Sequence, residues 1–289
     1  MSAAPESGGP PAEPPPASGS RAGRNLPMAI AVGLALGALC VASLLIYRQS
    51  FVVIIAAAVV ASIWELRGTL AQARNIQISW LPIVVGSVAI IALAWPYGQA
   101  AQGIGLALTA LACMVWRFPR GASGYLADVS ASIFVVVYLG LLASFATLML
   151  APDDGAGRIL TFMIMVVCSD TGGYIAGVLF GKHPMAPTIS PKKSWEGFTG
   201  SVIGAGLGGA LTVWLILSGQ WWHGLIIGAT IAVVATGGDL AESLIKRDLG
   251  VKDMGNLLPG HGGVMDRMDS LLPSAVATWA LLALLVPVS

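Results

Sequence analysis

The stretch Gly238–Ser270, GDLAESLIKRDLGVKDMGNLLPGHGGVMDRMDS, is polar and is flanked on both sides by apolar runs long enough to cross a bilayer. It holds Asp239, Glu242, Asp248, Asp253, Asp266 and Asp269, six of the chain's 14 acidic residues, beside Lys246, Arg247, Lys252 and Arg267. Read as a helix leaving the membrane, it places Asp239, Glu242, Ser243 and Lys246 at i, i+3, i+4 and i+7, so they share one face. Leu258-Pro259-Gly260-His261-Gly262-Gly263 cannot continue that helix, and its glycines let backbone N–H groups approach an anion closely. Asp266 and Asp269 follow at i, i+3 where the next apolar run begins. Two acidic pairs thus bracket a glycine-rich turn and several cations. Such a set suits a divalent metal held by carboxylate oxygens, with phosphates lying between the metal and Lys or Arg.

Outward from this stretch the chain reads as membrane protein. Of its 289 residues 56% are hydrophobic and 10% charged, with mean hydropathy +0.82, which predicts an all-α integral membrane protein. A formal net charge of +1 gives no reason to expect a nucleic-acid partner. Cys40, Cys113 and Cys168 lie in apolar runs without CxxC spacing and read as fillers of membrane helices rather than as a disulfide framework or a zinc site. Residues 1–25, rich in Pro, Ala, Gly and Ser, read as a disordered tail that lacks the basic start and short apolar core of a secretory signal.

A bilayer core about 30 Å thick needs roughly 20 apolar helical residues. Nine runs meet this approximately: Met28–Tyr47, Phe51–Leu66, Trp80–Trp95, Gly98–Trp116, Val129–Leu150, Ile159–Phe180, Phe198–Leu217, Trp221–Thr236 and Leu271–Val288. With nine crossings, thirteen of the Lys and Arg residues fall on one side and only Arg48 and Arg158 on the other. The positive-inside tendency then predicts a cytoplasmic N-terminus and an exoplasmic C-terminus. The organisation expected is a tail at 1–25, N-terminal membrane helices over 26–156, and a catalytic membrane region over 157–289 with cytoplasmic loops at 182–197 and 238–270.

The N-terminal runs say little about chemistry. Trp80, Trp95, Trp116, Trp221 and Trp222 read as interfacial anchors, Glu65 as an interfacial charge, and the glycines of Gly200–Gly209 as close helix packing. The sixth run differs, because Asp170 stands midway along it, where an unpaired carboxylate costs roughly 2.5–3.5 kcal/mol. Beside Thr171, Gly172 and Gly173 it reads as a carboxylate facing a polar cavity near the metal site. The next loop carries Ile189-Ser190-Pro191-Lys192-Lys193-Ser194-Trp195-Glu196-Gly197. Taken alone, two lysines at a membrane edge are most simply headgroup anchors.

Three separated motifs, around Asp170, at Ser190–Gly197 and over Ser243–Asp269, nonetheless resemble one family. Ser243-x-Ile245-Lys246-Arg247, Lys252-Asp253-x-Gly255 and Leu258-Pro259-x-His261-Gly262-Gly263-Val264-x-Asp266-Arg267-Met268-Asp269 are similar to the signature of the phosphatidate cytidylyltransferases, the CDP-diacylglycerol synthases. The Ser190–Gly197 element is similar to another motif of that family, with Ser194 where threonine is common. The resemblance covers about a third of the chain.

What the resemblance implies is attack of a phosphatidate oxygen on the α-phosphorus of CTP, giving CDP-diacylglycerol and diphosphate in a cytoplasm-facing site of an integral protein of the cell membrane. The partners implied are CTP, phosphatidate of the cytoplasmic leaflet and membrane lipids, with a homodimer compatible. Mg2+ is the ion expected, since it is commonly bound through one or two carboxylates plus substrate phosphates. Asp239 and Asp266 lead the expected metal ligands, with Glu242, Asp269 and Asp170 as further ligands or supports. Asp239, Lys246, Asp266 and Arg267 form the expected catalytic set. Lys192, Lys193, Ser194, Ser243, Arg247, Lys252, His261, Gly262 and Gly263 are expected to contact substrate phosphates. The substrate cavity is expected among the sixth to ninth runs, open sideways to lipid. Two rival readings are a CTP-dependent lipid kinase, which would move the γ-phosphoryl group, and a transporter in which Asp170 binds a coupling ion.

Overall fold

The computed structural model describes residues 26–258 and 262–288, so the tail at 1–25 and His261 lie outside the described residues. Its helices are α1 (Leu26–Ile46), α2 (Gln49–Arg74), α3 (Trp80–Arg117), α4 (Tyr125–Val135), α5 (Leu142–Leu150), α6 (Gly155–Phe180), α7 (Trp195–Leu215), α8 (Trp221–Leu249), α9 (Met265–Met268) and α10 (Leu271–Leu285). A six-residue wide turn, Val136–Leu141, runs α4 into α5. Seven helical stretches among the described residues are long and apolar enough to cross a membrane: Gln49–Arg74, Trp80–Arg120, Tyr125–Leu150, Gly155–Phe180, Trp195–Leu215, Trp221–Leu249 and Met265–Leu285. The protein is therefore all-α in its membrane part, apart from an antiparallel hairpin of β1 (Pro184–Ala186) and β2 (Ser190–Ser194).

Helix α3 is one helix only in name. At Gly98 the backbone leaves the helical region, with φ 59° and ψ −142°, a conformation glycine tolerates because it lacks a Cβ. Beyond that point the chain returns along itself: Gly86 lies against Thr109, Gly105 against Ile90, and the Ser79 hydroxyl donates to the Cys113 carbonyl at 3.1 Å. Each pairing is centred near Gly98, as an antiparallel hairpin demands.

Polar contacts collect at two ends of the bundle. At one end Arg117 donates to Asp128 at 2.6 Å with both side chains almost wholly buried; Asp128 also accepts the Gln77 N–H, and Arg74 pairs with Asp248 at 2.7 Å. At the other, Arg158 bridges Asp154 and the Val286 carbonyl, each at 2.8 Å, and Arg48 donates to the Pro152 carbonyl while lying over the Trp95 ring.

Two features bring functional residues together. First, α6, α7 and α8 lie backbone to backbone: a Cβ on Gly172 would collide with the Gly200 carbonyl, and one on Gly228 with the Ala205 carbonyl. Second, the chain after α8 folds back into the bundle. The Met265 N–H donates to Glu65 at 3.0 Å and Ser62 Oγ lies 3.3 Å from Met268 Sδ. Residues 62–65 are halfway along α2, so α9 and the start of α10 begin inside the bundle rather than at its edge.

Candidate active site

The sixth to eighth turns of α8 carry the first part of the site. This helix does not stop near Thr236; it continues to Leu249, where Gly250 (φ 69°) and Val251 donate to the Arg247 and Lys246 carbonyls and close it. Asp239, Glu242 and Lys246 are consequently helical and on one face. Lys246 Nζ sits between two carboxylates, 2.6 Å from Glu242 and 2.8 Å from Asp266. Glu242 is 1% exposed, and its second oxygen has no hydrogen-bond partner among the described residues.

A cleft of about 690 Å³, open mouth included, lies between α6, α7, α8 and the β-hairpin. Asp170 from α6, Asp239 from α8, and Lys192, Lys193 and Ser194 from β2 line it, with Ser169, Tyr174 and Ser201. Lys193 Nζ donates to Asp239 at 2.6 Å. Ser194 caps α7 by accepting the Gly197 N–H at 3.1 Å, which fixes the lysines directly before the helix N-terminus. Glu196 holds the hairpin's base, accepting the Lys182 and His183 N–H groups and meeting His183 Nδ1 at 2.5 Å. Arg247 donates to the Ile189 carbonyl at 3.4 Å, tying the end of α8 to the hairpin's turn. α10, expected as a wall, does not line the cleft.

The other expected residues do not line this cleft, although the Asp269 backbone lies against Gly238, next to Asp239. Asp266 is buried and its oxygens are taken up: the Met254 N–H reaches both, at 3.2 and 3.1 Å, Gly263 N–H lies at 3.0 Å and Lys246 completes the set. The Gly263 N–H is thereby committed to Asp266, while Gly262 (φ 86°) turns the chain with its carbonyl accepting the Leu258 N–H. Asp269 accepts the N–H of Ser270 at 2.7 Å. Lys252 and Arg267 are exposed and Ser243 is half-buried.

Glu65 is the residue that sequence reasoning missed. It is not an interfacial charge: it is 7% exposed and its two oxygens accept the N–H groups of Leu257 at 3.2 Å and Met265 at 3.0 Å. Gly255 and Gly263 leave the space this carboxylate occupies, for a Cβ on either would press on it. The available signal was an acid inside an otherwise apolar run, the same signal that singled out Asp170.

Asp170 and Asp239 present carboxylates to one cleft. They fit a hard cation bound through one or two carboxylates and completed by substrate phosphates. They do not make an all-protein cage: among the described residues no group of three or more His, Cys, Asp or Glu side chains is gathered to hold a metal.

Comparison with known proteins gives this geometry its chemical context. The model of the cytidylyltransferase family matches residues 27–285. A phosphatidate cytidylyltransferase of Mycobacterium leprae is 45% identical over 281 residues, covering 92% of this chain and 90% of its own length. One from Mycobacterium bovis is 43% identical over 279 residues, with 92% and 91% covered, and one from Helicobacter pylori 42% over 153 residues, with 53% and 57% covered. With a match running from α1 to the end of α10, the chain belongs to the cytidylyltransferase family.

Proposed function

We propose that this protein is a phosphatidate cytidylyltransferase, converting CTP and phosphatidate into CDP-diacylglycerol and diphosphate. The observation that carries this reading is the cleft itself, where two carboxylates face two lysines between helices whose outer surfaces are apolar. A phosphate oxygen of the lipid forms a bond to the α-phosphorus of CTP; the bond from that phosphorus to the bridging oxygen breaks, and diphosphate leaves with the electron pair. A phosphomonoester is largely dianionic at neutral pH, its second pKa being about 6, so no side chain has to remove a proton. The difficulty is the repulsion between two anions. Lys192 and Lys193 lower it at the cleft, with Asp239 orienting the Lys193 ammonium, and Lys246 adds positive charge behind them. When bound, Mg2+ held by Asp170 and Asp239 supplies further neutralisation of the phosphates.

On this reading the charged end of the bundle, with Lys193 and Asp239, faces the cytoplasm, where CTP is found, and the lipid tails lie in the cytoplasmic leaflet beside α6 and α7. Counting α1 and both arms of α3 gives nine crossings, a cytoplasmic N-terminus and an exoplasmic C-terminus. The concentration of Lys and Arg at that end supports this orientation, and the plasma membrane is the setting we assign.

The test is the purified protein in mixed micelles with phosphatidate, Mg2+ and CTP labelled separately at the α- and γ-phosphates. α-label in lipid and γ-label in diphosphate are expected, with activity lost to a chelator and restored by Mg2+. γ-label in lipid would make the protein a kinase. No transfer by folded protein would leave the transporter reading.

A further inference from the structure

The chain between α8 and α10 is polar and almost without regular structure, yet it carries Asp266 into the interior beside Lys246 and Glu242. Its position depends on α2, a helix nearly two hundred residues away in sequence. Glu65 reaches the segment from α2 with both oxygens, one on the Leu257 N–H and one on the Met265 N–H. These two amides stand outside the paired Leu258 and Gly262, so one carboxylate ties both sides of that pairing to α2. One turn further along α2, Thr69 Oγ1 donates to the Met254 carbonyl at 2.9 Å, adding a second tie to the same segment.

The ties run in sequence toward the reactive groups. Met265 is held by Glu65; the next residue, Asp266, accepts the Met254 and Gly263 N–H groups and holds Lys246; Lys246 holds Glu242 on α8. Gly255 and Gly263 both give room to the Glu65 carboxylate, so the segment is shaped around that group. A buried acid in an apolar helix requires such compensation, and backbone N–H donors provide it.

We propose that Glu65 is a positioning residue for the cytidylyl transfer, fixing Leu257 and Met265 and through them the Asp266–Lys246–Glu242 chain behind the cleft. The proposal rests on the phosphatidate cytidylyltransferase reading. Glutamine is the informative replacement, since its carbonyl accepts one N–H while its amide faces the other, donor to donor.

The experiment compares full-length wild type, Glu65→Gln and Thr69→Val in detergent, reading α-label transfer, thermal unfolding, and hydrogen exchange over residues 250–270. Glu65→Gln is expected to lower kcat about 10-fold or more, to speed exchange at Leu257 and Met265, and to leave exchange in α6 and α7 unchanged. Thr69→Val is expected to act in the same direction with a smaller effect. If Glu65→Gln does not fold, Thr69→Val alone decides. Wild-type activity with wild-type exchange in the folded variants would overturn the proposal. So would lost activity with unchanged loop exchange, because the loss would then not pass through the turn. A wild-type protein that moves no α-label into lipid would instead remove the underlying reaction.

Discussion

Lys193 reaches Asp239 across 2.6 Å although 46 positions separate them in sequence, and the two side chains remain 26% and 33% exposed. A pair this open contributes about 1 kcal/mol or less to stability. On the proposed function its role is chemical: Lys193→Met is expected to leave thermal unfolding close to wild type while lowering kcat/KM about 100-fold, read by α-label transfer. Asp239→Asn should lose at least as much, since it removes both the lysine's partner and a carboxylate of the cleft. Arg117 and Asp128 make the opposite case, at 4% and 7% exposure. Arg117→Met would strand a buried carboxylate and is expected to destabilise the fold by about 3–5 kcal/mol, measured by denaturation in detergent. The residues of the motifs thus divide by environment. Asp170, Asp239, Lys192, Lys193 and Ser194 were legible in the sequence and do line one cleft. That the oxygens of Asp266 are occupied by backbone N–H groups was not legible, because those donors come from a turn whose path no side-chain pattern reports.

At the scale of elements, the apolar runs were readable because a membrane helix must satisfy its backbone internally and offer apolar side chains outside. The β-hairpin was not readable. Its strands have three and five residues and one of them reads SPKKS, without the apolar alternation that marks a strand. The contact of α6 with α7 was anticipated only as glycine packing, yet it determines how far Asp170 stands from the lysines. Gly172→Leu is expected to force these helices apart, costing about 1–3 kcal/mol by overpacking and lowering activity further than stability alone explains. Parallel thermal unfolding and transfer assays on the variant would separate the two effects.

Across the whole molecule, the two ends differ in charge as in contacts, and the candidate site lies at the end with Arg74, Arg117, Lys193 and Lys246. Topology can be read directly in a variant whose Cys40, Cys113 and Cys168 are replaced by alanine. A cysteine at Asp248 is expected to react with a membrane-impermeant reagent only after the cells are opened, and one at Asp153 in intact cells. The turn at Gly98 bears on how such a molecule comes to be made. Between Asn75 and Trp116 there is no Asp, Glu, Lys or Arg, and the two arms of α3 lie against each other. During synthesis these arms can enter the bilayer as a single folded-over unit, with only the short backbone around Tyr97 and Gly98 passing through to the far side. No ionised group has to shed its water on that passage, so this pair of helices carries no orientation signal of its own and takes its direction from the charged residues before and after it.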